Sequence, residues 1–276
     1  MGFRADRPPA NGPSGNLGNA LIIYWECVPT ATAIAGREGK TFKYVSDEDT
    51  LVTMQVGLVG TDGIVLASDL KTRFFDEYEN FGLTSKILID RARGLALAYA
   101  GYEISREVAK RILTDQGIFD LENSCHRQAI ERIASEVYRE PFPDLVPPDR
   151  RDSEILIVSS RTPFHFNSLE MRNENRCWLT KRYDKAVSGH RPNTATFFLE
   201  RYYDRTASIG ELKLLAAHVI LTASRLNPRG IEGMEIVTCT ESGLHMVPDK
   251  EIEGLTARSE KLDSEIKANL LPNSIR

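Results

Sequence analysis

The stretch from Thr53 to Lys86 decides the reading of this chain: it opens TMQVGLVGTDGIVLASDLKT over residues 53–72 and closes on SKILI at residues 85–89. Its first half has the pattern of a β-hairpin. Val56 and Leu58, then Ile64 and Leu66, put apolar side chains at alternate positions, and Thr61-Asp62 forms the turn between Gly60 and Gly63. A loop of two or three residues pairs Thr53 with Leu70 or Asp69. A hydroxyl at the start of one strand then lies beside a carboxylate at the end of the next. Lys86 opens a third strand, SKILID, which brings an ammonium to the same sheet edge. Hydroxyl, carboxylate and lysine together are the parts of an activated nucleophile.

These residues carry a family resemblance. The TxxVGLVGxDGIVLASD hairpin, the SKILI strand and GLALAYAG ending at Gly101 resemble β-type subunits of the proteasome in divergent, bacterial-type form. Those subunits are threonine peptidases among the N-terminal-nucleophile hydrolases. The step from Thr53 to Asp69 has the family's length; the steps on to Lys86 and to Gly101 each run one residue longer, placing single insertions in the loops 74–84 and 90–94. The resemblance is strong over the first fifty residues from Thr53 and fades towards residue 250, through AVSGHRPNTATFFLERYYD and the LLAAHVILTASR helix.

The resemblance implies a site. Thr53 is the nucleophile, and its own α-amine, once free, is the base; an unperturbed amine titrates near about 7.7–8.0. The Lys86 ammonium disfavours a second positive charge and pushes that amine down. Asp69 holds Lys86 in place and charged, and the Gly101 N–H is the oxyanion donor. Ser188 matches the serine of the family's Gly-Ser-Gly turn and orients the amine, although Val187 replaces the first glycine. Tyr99 points at the pocket for the substrate side chain. Two departures stand out. The glycine usual before the mature threonine is Val52, and the late Arg-Asp-x-x-Ser-Gly reads Arg225-Leu226-Asn227-Pro228-Arg229-Gly230, with Asn227 the replacement for the missing support.

Taken singly, the same residues have plainer readings: Thr53 as a strand residue, Asp69 as a turn residue, Lys86 as a solvated charge, Gly101 as a strand break. Their joint spacing favours the site. His126, His165, His190, His218 and His245 show no partner spacing, and Asp149–Asp152 reads as a solvated loop.

Composition narrows the classes. The chain has 276 residues, 41% of them apolar, enough for one substantial core. A net charge of −4 without a basic patch argues against nucleic acid. No apolar run approaches the roughly 20 residues of a membrane span. Cys27, Cys125, Cys177 and Cys239 are scattered without ligand spacing, as reduced thiols of a cytoplasmic protein are. No metal site, cofactor or nucleotide motif is called for.

Residues 1–52 differ from the rest: PPANGPSGNLGN is loop-like and only LIIYW suggests packing. They form a leader, with two readings open. It is a propeptide removed to free Thr53, or an upstream extension that is not translated, the start lying at Val52. Residues 53–250 form the hydrolase-like domain, and 251–276 a charged C-terminal helix.

Within the domain, helical spacing predicts helices over Glu103–Gln116, Cys125–Arg139, Asn193–Tyr203 and Ser208–Leu226. The last carries a capping box between Ser208 and Glu211. Strands are expected at SEILIVSS, PFHFNSLE, AVSG, MEIVTC and GLHMV, with PFPDLVPP a proline-broken connection. Strands, two helices, strands, two helices, strands is an α+β order. The resemblance extends this to a four-layer αββα sandwich, the N-terminal-nucleophile hydrolase fold.

The function expected is a threonine-type endopeptidase acting on peptides or unfolded protein inside a homo-oligomeric ring, any ATP-driven unfoldase being a separate chain. The alternatives are a catalytically silent structural subunit and a small-molecule amidase of the same fold.

Overall fold

The computed structural model describes residues 53–73, 81–101, 103–118, 120–140, 153–172, 176–189 and 194–270. Contacts divide the chain into 1–46 and 47–276, and every described residue belongs to the second unit. The leader, the 141–148 connection, the 149–152 loop and His190 lie outside the described residues.

Among the described residues the chain is mixed α+β, with five helices. In chain order it runs β1 (Met54–Val59), β2 (Ile64–Ser68), β3 (Lys71–Arg73), β4 (Phe81–Leu83), β5 (Ile87–Asp90), β6 (Leu95–Ala100), α1 (Glu103–Thr114) and α2 (Ser124–Arg139). Then follow β7 (Ser153–Ser159), β8 (Phe166–Arg172), β9 (Arg176–Arg182), β10 (Lys185–Gly189), α3 (Thr194–Tyr202), α4 (Ile209–Leu226), β11 (Glu235–Thr240), β12 (Gly243–Met246) and α5 (Asp249–Leu270).

The expected hairpin forms with β1 antiparallel to β2, in a register that pairs Gln55 with Ser68 and Val59 with Ile64. That register carries Met54 to Asp69, whose N–H donates to the Met54 carbonyl at 3.1 Å. The hairpin is the middle of a five-stranded antiparallel sheet in the order β10-β1-β2-β11-β12. A second five-stranded sheet runs β5-β6-β7-β8-β9, and β3 with β4 makes a separate two-stranded ribbon.

Period-two alternation along β1 sorts its side chains to two sides. Met54, Val56 and Leu58 join Leu212, Ala216 and Ile220 of α4 in one apolar cluster. Val59 instead joins Ile64 and Leu66 of β2, Val237 and Cys239 of β11, and Ala96, Ala98, Leu156 and Phe166 of the other sheet. A third cluster packs Leu95, Leu97 and Ile155 under Val108, Ile112 and Ile130 of α1 and α2. The central strands are buried on both sides, so β1, β2, β6 and β7 are buried along their whole length.

Ser208 caps α4 through the anticipated capping box with Glu211. The charged tail is helical, and one side of α5 packs on α4: Leu255 and Ser259 are buried, and Ser259 Oγ meets His218 Nδ1 at 2.9 Å. Three strands went unanticipated. β3 and β4 are three residues each, and β9, RCWLTKR, is an edge strand whose basic residues hide its alternation. Strand β8 begins at Phe166 rather than Pro163, the turn Thr162–His165 taking the residues before it.

Candidate active site

The site lies where β1 and β10 of one sheet and β5 and β6 of the other come to one end of the structure. Thr53 immediately precedes β1, Asp69 follows β2, and Lys86 precedes β5. The side chains converge. Lys86 Nζ donates to Thr53 Oγ1 at 3.1 Å and to Asp69 Oδ2 at 2.8 Å. Asp69 is fully buried and Thr53 and Lys86 nearly so. The carboxylate is oriented by the backbone: Oδ1 accepts from Met54 N at 2.8 Å and Oδ2 from Lys71 N at 3.0 Å. One carboxylate thus holds the hairpin's two ends and the ammonium at once.

Burial dominates the electrostatics. It pushes the Lys86 ammonium below its ordinary value and the Asp69 carboxyl above its own, while their mutual attraction opposes both shifts. A lysine held this way is a poorly hydrated cation next to a hydroxyl, placed to lower the energy of an alkoxide.

Gly101 follows β6 at the same end. Lys86 accepts from Tyr99 N at 3.1 Å, so the ladder runs from Lys86 towards Gly101. Gly101 is exposed and adopts φ 111°, a conformation that glycine alone takes without strain. Ser188 is fully buried and pairs with Gln55 across β10 and β1; its Oγ has no hydrogen-bond partner among the described residues. Beside it, Gly189 at φ 97° allows the Thr53 carbonyl to approach so closely that a Cβ would lie 1.9 Å from that oxygen.

Two anticipated positions take other roles. Asn227 caps α4, and its Oδ1 accepts from Gly230 N at 3.0 Å, so this oxygen serves the turn. Tyr99 belongs to the cluster under α1 and α2, with its hydroxyl donating to the Ser85 carbonyl at 3.2 Å. Two contributors were missed in the sequence. Gln55 Nε2 donates to the Tyr99 carbonyl, tying the two sheets together under the site. Glu235, which opens β11, accepts from the N–H of Lys86 and of Ile87. Its only signal in the sequence was a carboxylate at the head of an apolar strand, EIVTC. Among the described residues no three His, Cys, Asp or Glu side chains gather as a metal-ligand set.

No family model matches the chain, and no curated protein does. Solved structures do. Anbu from Pseudomonas aeruginosa, described as a helical assembly of the Anbu complex, is 12% identical with a TM-score of 0.61, covering 81% of this chain and 98% of that one. A Gly-1 mutant of Anbu from Hyphomicrobium sp. strain MC1 is 13% identical at a TM-score of 0.57, covering 79% and 99%. Anbu from Yersinia bercovieri, described as an ancestral β-subunit, is 10% identical at 0.56, covering 78% and 97%. At these identities the likeness is one of fold. It corrects the expectation of a proteasome β-type subunit: the neighbours are Anbu proteins. The motifs behind that expectation lie in β1, β2, β5 and β6 and do not discriminate between families of one fold. The chain is thus similar in fold to the Anbu proteins.

Proposed function

We propose that this chain is a threonine-type hydrolase of peptide bonds, with Thr53 the nucleophile once it stands first in the working chain. The observation that carries the reading is the buried Lys86 ammonium, within hydrogen-bond reach of both the Thr53 hydroxyl and the Asp69 carboxylate. On this reading the Thr53 α-amine takes the hydroxyl proton as Oγ1 attacks the substrate carbonyl. Lys86 and the Gly101 N–H stabilise the negative charge that develops. The amine then returns its proton to the leaving nitrogen, leaving an ester on Thr53 that water hydrolyses. Ser188, whose hydroxyl has no other partner among the described residues, orients the amine.

The fold in this proposal is the four-layer αββα sandwich: helices α3–α5, one five-stranded sheet, the other, then α1 and α2. The three apolar clusters support that order. The protein acts in an oligomer of its own copies. Exposed apolar side chains on α3 (Phe197, Tyr202) and α5 (Leu262, Ile266, Leu270) support this, as does the helical assembly of the Pseudomonas Anbu complex. Among the described residues no helix is long and apolar enough to cross a membrane, which fits a cytoplasmic peptidase.

Thr53→Ala is the direct test. Hydrolysis of fluorogenic peptides should vanish while the particle keeps its size. Persistent hydrolysis in the variant overturns the assignment. A second reading, a non-catalytic structural subunit, is favoured by Asn227, whose side-chain oxygen is bound to the turn after α4. It predicts a wild-type protein that assembles and cleaves nothing.

A further inference from the structure

Lys86 carries the chemistry proposed above; its carbonyl joins the β6 ladder through Tyr99 N, and Ser85 Oγ bonds to the Ile87 carbonyl, but the N–H groups at this strand start look elsewhere. Lys86 immediately precedes β5, and the backbone N–H groups of Lys86 and Ile87 donate to a side chain rather than to β6. A carboxylate 149 positions later meets them. Glu235 Oε1 accepts from Lys86 N at 2.5 Å and from Ile87 N at 2.9 Å, and its Oε2 accepts from Ser85 Oγ at 2.7 Å. All three bonds cross from one sheet to the other. Register explains why Glu235 is available there: it pairs with Ser68 across β11 and β2, so it stands one residue from Asp69 along the sheet edge. Glu235 is buried, and a buried carboxylate without partners is costly; three donors remove that cost and make the clamp stiff.

We propose that Glu235 is a positioning residue of the site, its carboxylate clamping the Ser85–Ile87 backbone so that the Lys86 ammonium is delivered to Thr53 and Asp69. The proposal rests on the reading of Thr53 as the nucleophile. Glu235 acts in two ways. Its hydrogen bonds fix the geometry, and its negative charge favours the protonated form of Lys86 against burial. The charged and titratable groups facing Lys86 are Asp69 from the end of β2, Glu235 from β11 and, on that reading, the Thr53 amine. From β6, the Tyr99 hydroxyl bonds to the Ser85 carbonyl.

Charge and geometry separate by substitution. Glu235→Gln keeps an acceptor for both N–H groups and offers an amide donor to Ser85 Oγ, but loses the charge. Lys86 should then titrate lower, read by NMR on full-length protein with isotopically labelled lysine side chains. The alkaline limb of the peptide-cleavage pH profile should follow it downward by about one pH unit. Glu235→Ala loses the clamp as well: kcat should fall on the order of tenfold with KM held, and the glutamine variant should recover most of that loss near neutral pH. A Lys86 titration unmoved in Glu235→Gln, or a wild-type kcat in Glu235→Ala, overturns the proposal. Should the alanine variant fail to fold, the near-isosteric glutamine variant and its lysine titration decide alone. The two readings fail separately. A wild-type protein that cleaves no peptide while its Lys86 titration shifts in Glu235→Gln sinks the nucleophile and keeps the clamp. Cleavage with an unmoved titration does the reverse.

Discussion

Asp69 spends its two oxygens on three partners: two backbone N–H groups and, through Oδ2, a lysine that also reaches Thr53. Removing the lysine leaves the carboxyl fully buried with only backbone donors. In Lys86→Met, the charge and hydrogen bond that hold the Asp69 carboxyl down disappear, so burial raises it further above its ordinary 3.8. A carboxyl raised by folding contributes stability below its unfolded value and loses that contribution as pH climbs through the folded value. The stability gap between Lys86→Met and wild type should therefore widen with pH, by up to about 1.4 kcal/mol per pH unit while that one proton is lost. Urea denaturation from about pH 4 to 8 measures it; a gap that stays flat or narrows contradicts the assignment of Asp69 as the buried partner. At this scale the sequence was informative where spacing was short. Thr53 and Asp69 are joined by one hairpin, whose register sets Met54 opposite Asp69 and so brings Thr53 beside it. Glu235 was not legible because its contact with Lys86 depends on how β11 docks on β2 and on how the two sheets face each other. Neither is written in local pattern. Asn227 was misread for a similar reason: a helix end claims its side-chain oxygen before any site does.

Elements formed where pattern and caps agreed. The alternating apolar residues of β1 and β2, and the 3.6-residue spacing of α1, α2 and α4, match the observed elements to within two residues at each end. Short and edge strands escaped. KTR and FGL have too few residues to alternate, and RCWLTKR buries Leu179 while its neighbours are charged or half-exposed. At the start of α4 the agreement is chemical. Ser208 Oγ accepts from Glu211 N, and Glu211 Oε2 accepts from Ser208 N at 2.8 Å. Ser208→Ala removes one half of this exchange and should lower stability by about 1 kcal/mol. A thermal or urea midpoint unchanged from wild type would mean that the cap is redundant with Asp62, whose Oδ1 already holds Ile209 N at 2.7 Å.

For the whole molecule, the three apolar clusters account for why Thr53, Asp69 and Lys86 are buried. One joins β1 and β2 to α4, one contains residues of both five-stranded sheets, and one joins β6 and β7 to α1 and α2. Thr53, Lys86 and Gly101 flank β1, β5 and β6, three strands that meet in the cluster between the sheets, so their approach is a property of the packed whole. The resemblance read from the sequence named proteasome β-type subunits where the fold neighbours are Anbu proteins, because a hairpin motif travels with the fold. The central claim is that Thr53 works as a free N-terminal nucleophile. Incubating the full-length protein with a peptidyl epoxyketone and mapping the product by mass spectrometry tests it most directly. The account predicts an adduct on a peptide whose first residue is Thr53. An unmodified peptide beginning at Thr53, or an adduct on a chain that still carries residues ahead of it, would contradict it.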